Sequence, residues 1–153
     1  MELDKQDLKL LKILQVDVKT SIERLSDEVG LSPASIQRRL KRLRKENVIT
    51  SEVANVSPEA IGQSMTFIIS VELNRDNIDC FNTFKKKVKN TPRVQQCYYI
   101  TGEADFILIV TAKDMLDFDK FTQSIFFNDN NVKHFKTSVV MGRTKVSLAL
   151  PIE

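Results

Sequence analysis

Leucine and isoleucine recur at helical spacing through the first third of the chain. Leu8, Leu11 and Leu14 approximate one face with Ile13 beside them, which predicts an amphipathic helix from near Asp4 to the stretch QVDVKT. Thr20 and Glu23, three residues apart, fit a capping box, so a second helix is expected to about Val29 with Ile22, Leu25 and Val29 inward and Gly30 as its stop. The third helix has the strongest start signal. Ser32 suits the N-cap, Pro33 the first helical position, and Leu31 with Ile36 the spacing of a hydrophobic staple; Ile36, Leu40 and Leu43 then mark a buried stripe.

From VITSEVANVSPEAIGQ the pattern breaks into short extended pieces and a turn at Pro58, a connector. The period then falls to two. Met65, Phe67, Ile69, Val71 and Leu73 alternate with Thr66, Ile68, Ser70 and Glu72, as in a strand with one buried face. A helix follows, with Asp76 as cap and Ile78, Phe81, Phe84 or Lys85, and Val88 on its core side, until NTP ends it. VQQCYYI and DFILIVTA read as strands joined by the turn TGEA. A helix near 114–127 is then capped by Asp114 with Phe118, Phe121 and Ile125 inward, and a last extended stretch closes the sheet. The expected fold is α+β: an N-terminal three-helix unit over 1–48, a connecting strand or hinge over 49–63, and a ferredoxin-like βαββαβ sandwich over 64–153.

Composition adds constraints. With 153 residues, 42% hydrophobic and 28% charged, the chain is ordinary globular material able to bury a core. No apolar run approaches the roughly 18 residues of a membrane span, and MELDKQDLKLLKILQ alternates charge with leucine where a signal peptide would be uninterruptedly apolar. A soluble, cytoplasmic protein is expected, without membrane partners. Cys80, Cys97 and the single His134 offer neither a disulfide framework nor metal-ligand spacing, so no metal and no cofactor is expected.

The net charge of +3 says little, but its distribution is uneven. Residues 1–30 hold five basic and seven acidic side chains, whereas residues 31–50 hold six basic and one acidic. Three short helices with a Gly-containing turn before a capped, basic third helix form the layout of a helix-turn-helix, whose second element lies in the DNA major groove. A solvated basic face is the plainer reading of a charge run. Ala34 and Ser35 shift the balance, because small side chains behind the capped N-terminus at Ser32 let the helix end approach base edges. At about 100° per residue, Ala34, Arg38, Lys41 and Lys45 lie within about 50° of the direction opposite the buried stripe. Ser35 and Arg42 lie just outside that sector, and Gln37, Arg39 and Arg44 flank it. Arg38 is the candidate for two hydrogen bonds to guanine, with Ser35 and Gln37 as shorter or flanking contacts. Arg39, Lys41, Arg42 and Lys45 are placed for phosphates, which set affinity and register. Arg39, at the edge of the stripe, has the alternative of pairing with an acid of the first two helices.

LDKQDLKLLKILQVD, SIERLSDEVGLSPASIQRRLKRLRKENVI and VQQCYYITGEADFILIV together resemble the Lrp/AsnC family, the leucine-responsive and asparagine-responsive transcriptional regulators of bacteria and archaea. The resemblance covers nearly the whole chain. It implies a winged or plain helix-turn-helix that binds double-stranded DNA, a connecting strand, and a C-terminal ligand-sensing domain that forms homodimers assembling to tetramers or octamers. One departure stands in the hinge: where such proteins often carry Gly-Tyr after NVI, this chain has Thr50-Ser51.

The loop Thr101-Gly102-Glu103-Ala104-Asp105 needs no function beyond turning the chain. It also suits a zwitterionic amino acid, since a glycine-bearing loop exposes N–H groups to a carboxylate while Asp105 offers a negative charge to an ammonium. The resemblance places this loop in an effector pocket between dimers and extends that role to Tyr99, Thr101, Gly102 and Asp105. Phe106 is a lining or core residue, and Thr137 and Ser138 are candidate hydroxyls. Two other classes remain: an effector-independent DNA-binding and assembly protein, and a small-molecule enzyme on a split βαβ fold. The chain holds no P-loop, G-x-S-x-G or H-E-x-x-H, and His134 in NNVKHFKTS has no evident partner, so no enzyme is expected.

Overall fold

The computed structural model describes residues 2–75 and 79–153, and its chain divides into two compact units. One is Met1–Asn55 with Lys145–Glu153, the other Val56–Thr144.

The first unit holds α1 (Lys5–Leu14), α2 (Ile22–Val29) and α3 (Pro33–Lys45). Asp4 caps α1 in a complete capping box: its side chain accepts from the Asp7 N–H, and the Asp7 carboxylate accepts from the Asp4 N–H. The expected cap of α2 is corrected by one residue. Ser21 accepts from the Arg24 N–H, while the Thr20 hydroxyl donates to the Asp17 carbonyl and is thereby used in the preceding turn. Gly30 ends α2 at φ 77°, where a side chain would be strained, and the Gly30 and Leu31 N–H groups both return to the Ser26 carbonyl. Ser32 caps α3 and Pro33 opens it. At the far end Asn47 takes a positive φ of 54°, and the Val48 N–H reaches back to the Leu43 carbonyl at 2.9 Å, closing the helix in a Schellman turn. Leu10, Leu25, Val29, Ile36 and Leu40 form the core, with Ile13, Leu14, Ile22 and Leu31 packed around it. Burying each such aliphatic side chain contributes about 1.5–3 kcal/mol.

The expected strand over 49–63 is replaced by irregular chain and a turn. A strand needs a ladder partner, and among the described residues none pairs with this segment; no wing hairpin follows α3.

The second unit runs β1 (Met65–Leu73), α4 (Cys80–Lys89), β2 (Val94–Tyr99), β3 (Phe106–Ala112), α5 (Met115–Thr122), a π-helical turn (Gln123–Phe127) and β4 (Val132–Val139). The sheet order is β2-β3-β1-β4 with every neighbour antiparallel, the ferredoxin-like arrangement. Alternation along β1 does what its pattern predicts. Phe67, Ile69, Val71 and Leu73 join Phe106, Leu108, Val110 and Ala112 beneath Cys80, Phe84 and Val88 of α4 and Phe118 and Phe121 of α5. Phe84, not Lys85, is the core residue at that turn of α4. The expected cap Asp76 and core residue Ile78 lie outside the described residues. The opposite face carries Ile68, Ser70, Ile107, Ile109 and Tyr98, with Ile68 and Tyr98 exposed. No helix of the described residues is long and apolar enough to cross a membrane.

Candidate nucleic-acid interface and effector loop

Pairing sorts the six basic side chains of α3 into two sets. Arg39 donates to the Asp4 carboxylate at 2.7 Å and to Asp7 at 2.8 Å, Arg42 donates to Asp7, and Arg44 forks onto Glu52 at 2.8 and 3.0 Å. Among the described residues no acid lies within salt-bridge reach of Arg38, Lys41 or Lys45. Those three, exposed like Ala34 and Gln37, form the face opposite Ile36, Leu40 and Leu43. Ser35 is half-buried and donates its N–H to the Ser32 hydroxyl at 3.3 Å.

Arg39 is the exception in the expected phosphate row, because its guanidinium is committed to α1 and only 20% of its side chain is exposed. The physical cause is Asp7, whose carboxylate is buried and therefore needs cationic donors. Arg42 differs: it touches the same carboxylate yet remains 43% exposed. Sequence inspection did not identify Asp4 and Asp7 as partners. The available signal was their spacing of three on α1, matched by Arg39 and Arg42 on α3. The Asp7 N–H and then Arg39 hold the Asp4 carboxyl below its ordinary pKa.

In the second unit Gly102 adopts φ 118° at the tip of the loop, and Thr101, Gly102 and Glu103 are exposed. Asp105 faces inward. Its Oδ2 accepts the Leu73 N–H at 2.8 Å, its Oδ1 accepts Arg75 at 3.0 Å, and its own N–H donates to the Val71 carbonyl at 2.9 Å, stitching the loop to the end of β1. Any ammonium contact there shares the carboxylate with these donors. Tyr99 is exposed beside the loop, with Lys85 lying 4.8 Å from its ring centroid. Phe106 is core, 1% exposed, its ring tilted against Phe81, Phe84 and Tyr99; it supports Tyr99 and does not line an opening. Thr137 and Ser138 are not brought to the loop within one chain. They pair with Ile69 and Ile68 and so point to opposite faces of the sheet. Their strand lies three strand spacings, roughly 14 Å, from β2. Arg75 and Lys85 are site neighbours that sequence inspection missed; only their charge marked them.

A small helical unit presenting a capped helix whose outward cations have no acidic partner among the described residues, and a ferredoxin-like unit with a glycine loop at one sheet end, make the two-part layout of a DNA-binding regulator. Residues 3–44 match the AsnC-type helix-turn-helix domain and residues 66–150 the Lrp/AsnC ligand binding domain; the chain belongs to the Lrp/AsnC family of transcriptional regulators, which are not enzymes. It is 49% identical to an uncharacterized HTH-type transcriptional regulator of Sinorhizobium fredii over 100% of this chain and 90% of that one. It is 30% identical to the DNA-binding transcriptional activator DecR of Escherichia coli over 99% of both chains. The crystal structure of a Neisseria meningitidis transcriptional regulator in complex with L-Met superposes with a TM-score of 0.92 at 31% identity, covering 98% of this chain and 97% of that one.

Proposed function

We propose that this regulator reads a specific DNA sequence as a dimer or larger assembly in the cytoplasm and answers to an amino acid or a related small metabolite. Residues 1–48 bind DNA, 49–63 act as a hinge, and 64–153 sense the effector and oligomerise. The observation that carries the DNA reading is the sorting of cations on α3, which leaves Arg38, Lys41 and Lys45, on the face away from the core, without acidic partners among the described residues. Arg38 reads guanine, Ser35 and Gln37 make flanking contacts, and Ser32 and Ala34 bring the helix end close to the groove. Lys41, Arg42 and Lys45 take phosphates, and Arg39 holds α1 instead. Two-fold pairing sets half-sites about 34–36 Å apart or a multiple. The open sheet face, with Ile68, Tyr98, Ile107 and Ile109, supports self-association. Selection of bound fragments from the source genome tests the reading: a shared two-fold motif is expected, and recovery of fragments at random would refute sequence-specific binding.

For the effector, Thr101 and Gly102 offer backbone N–H groups to a carboxylate beside Tyr99, with Lys85 adding positive charge. Asp105 fixes the loop and receives the ammonium on Oδ1 in place of Arg75, whose side chain is 76% exposed and therefore weakly held. Thr137 and Ser138 reach an effector only as contributions from another subunit. The L-Met complex of the Neisseria relative supports an amino acid and makes methionine the first to test. Calorimetry across the amino acids is expected to find a binder that Arg75→Ala strengthens and Asp105→Ala abolishes. No binder among them would favour the effector-independent assembly reading, and a binder indifferent to Asp105→Ala would remove the ammonium contact.

A further inference from the structure

The buried carboxylate of Asp7 touches no solvent, yet it holds a side chain that does. Its Oδ1 accepts Arg39, and its Oδ2 accepts both the Asp4 N–H at 3.2 Å and Arg42 at 2.5 Å. Asp7 itself is 0% exposed. Arg42 thus has one side of its planar fork fixed on an internal acid while 43% of its side chain remains in water beside the free cations of α3. A guanidinium carries five N–H donors in a rigid plane, so engaging one edge orients the others without consuming them. Nearby Lys41 and Lys45 have no such brace among the described residues.

We infer that Asp7 is a positioning residue for DNA contact: from α1 it holds the Arg42 guanidinium in the orientation that meets a phosphate. The inference rests on the phosphate role assigned to Arg42 above. An unbraced arginine loses its rotamer freedom on binding, whereas a braced one has lost it already, so part of the ordering cost is removed from association. Simple charge reasoning gives the opposite sign. A negative group near a DNA-binding face repels phosphate, and its neutralisation would strengthen binding. The two accounts therefore separate on direction alone. Alanine at position 7 removes both oxygens and so releases Arg42 from its brace, whereas asparagine would keep its one oxygen on the Asp4 N–H and Arg42 and turn its NH2 group to Arg39.

The test is fluorescence anisotropy of the full chain on a random-sequence duplex across a salt series, for wild type, Asp7→Ala, Arg42→Ala and the double variant. Arg42→Ala is expected to weaken binding and make the slope of log K against log salt shallower by about one. Asp7→Ala is expected to weaken binding about fivefold, and the double variant to bind no more weakly than Arg42→Ala alone. A loss of folded protein would lower the active fraction equally with and without Arg42, and so would weaken the double variant below Arg42→Ala. Asp7→Glu provides a second route where Asp7→Ala does not fold: it keeps the charge, displaces it by one methylene, and should weaken binding only while Arg42 is present. Binding equal to or tighter than wild type in the Asp7 variants, or losses that multiply in the double variant, would overturn the inference. An unchanged slope in Arg42→Ala would instead remove the phosphate role of Arg42, and the inference with it.

Discussion

Arg38 and Arg39 are adjacent and about 100° apart in helix rotation, and that rotation decides what each guanidinium meets. Arg39 turns to α1 and is held by Asp4 and Asp7, whereas Arg38 stands exposed with no acidic partner among the described residues. Arg38→Ala is expected to lower discrimination between operator and random DNA by roughly 1–3 kcal/mol, while Lys45→Ala weakens both alike and makes the salt slope shallower by about one. Anisotropy on the two duplexes checks this, and equal losses on both in the Arg38 variant would end its assignment as a base reader. Helical rotation alone distinguished these outward cations from the flank. It could not show which flanking cation is neutralised, because Asp4 and Asp7 lie 35 and 32 residues before Arg39 and only the packing of α1 on α3 joins them. The same holds for Asp105, whose inward turn depends on a β1 backbone N–H 32 residues away.

At the scale of elements, local signals worked where they were redundant. α3 begins where Ser32, Pro33 and the Leu31–Ile36 pair agree, and β1 runs where strict alternation meets bulky apolar residues. They failed where one weak signal stood alone, as at Thr20, displaced as cap by its neighbour Ser21, and in the connector, where extended composition has no ladder to join. Ser32→Ala is expected to cost the helical unit about 1 kcal/mol, since the Ser35 N–H loses its acceptor, and chemical denaturation followed by circular dichroism measures it. The start of α5 gives a second prediction. The Lys113 N–H, and then the Arg93 guanidinium, hold the Asp117 carboxyl below its ordinary value, as the Asp7 N–H and Arg39 do for Asp4. A depressed folded pKa contributes stability that is present above the unfolded value of about 3.9 and is lost as pH falls through it towards the folded value. Thermal midpoints should therefore drop between about pH 5 and pH 3, and Asp117→Asn should make that drop smaller.

For the whole molecule, the sheet poses the remaining energetic question, because its two faces differ in cover. One is sealed by α4, α5 and the π-helical turn; the other offers Ile68 at 40% and Tyr98 at 50% exposure beside half-buried Ile107 and Ile109, across strands that also carry Ser70 and Thr111. Apolar side chains in adjacent registers of β1, β3 and β2 make a continuous patch, and burying it against a second copy removes that surface from water at about 25 cal/mol per Å². A two-fold arrangement would use the same patch on both copies, which suits a regulator reading a two-fold operator. The pair Ile68→Asp with Ile107→Asp places two charges in that patch while leaving the buried residues of β1 and β3 untouched. Sedimentation at micromolar concentration is expected to give an assembly for the wild type and a folded monomer for the double variant. Affinity for a two-half-site duplex should then fall to that for a single half-site, since linking two readers raises avidity only while both can engage at once. A wild type that sediments only as a monomer would refute self-association, and a double variant that assembles like the wild type would move the interface to another surface.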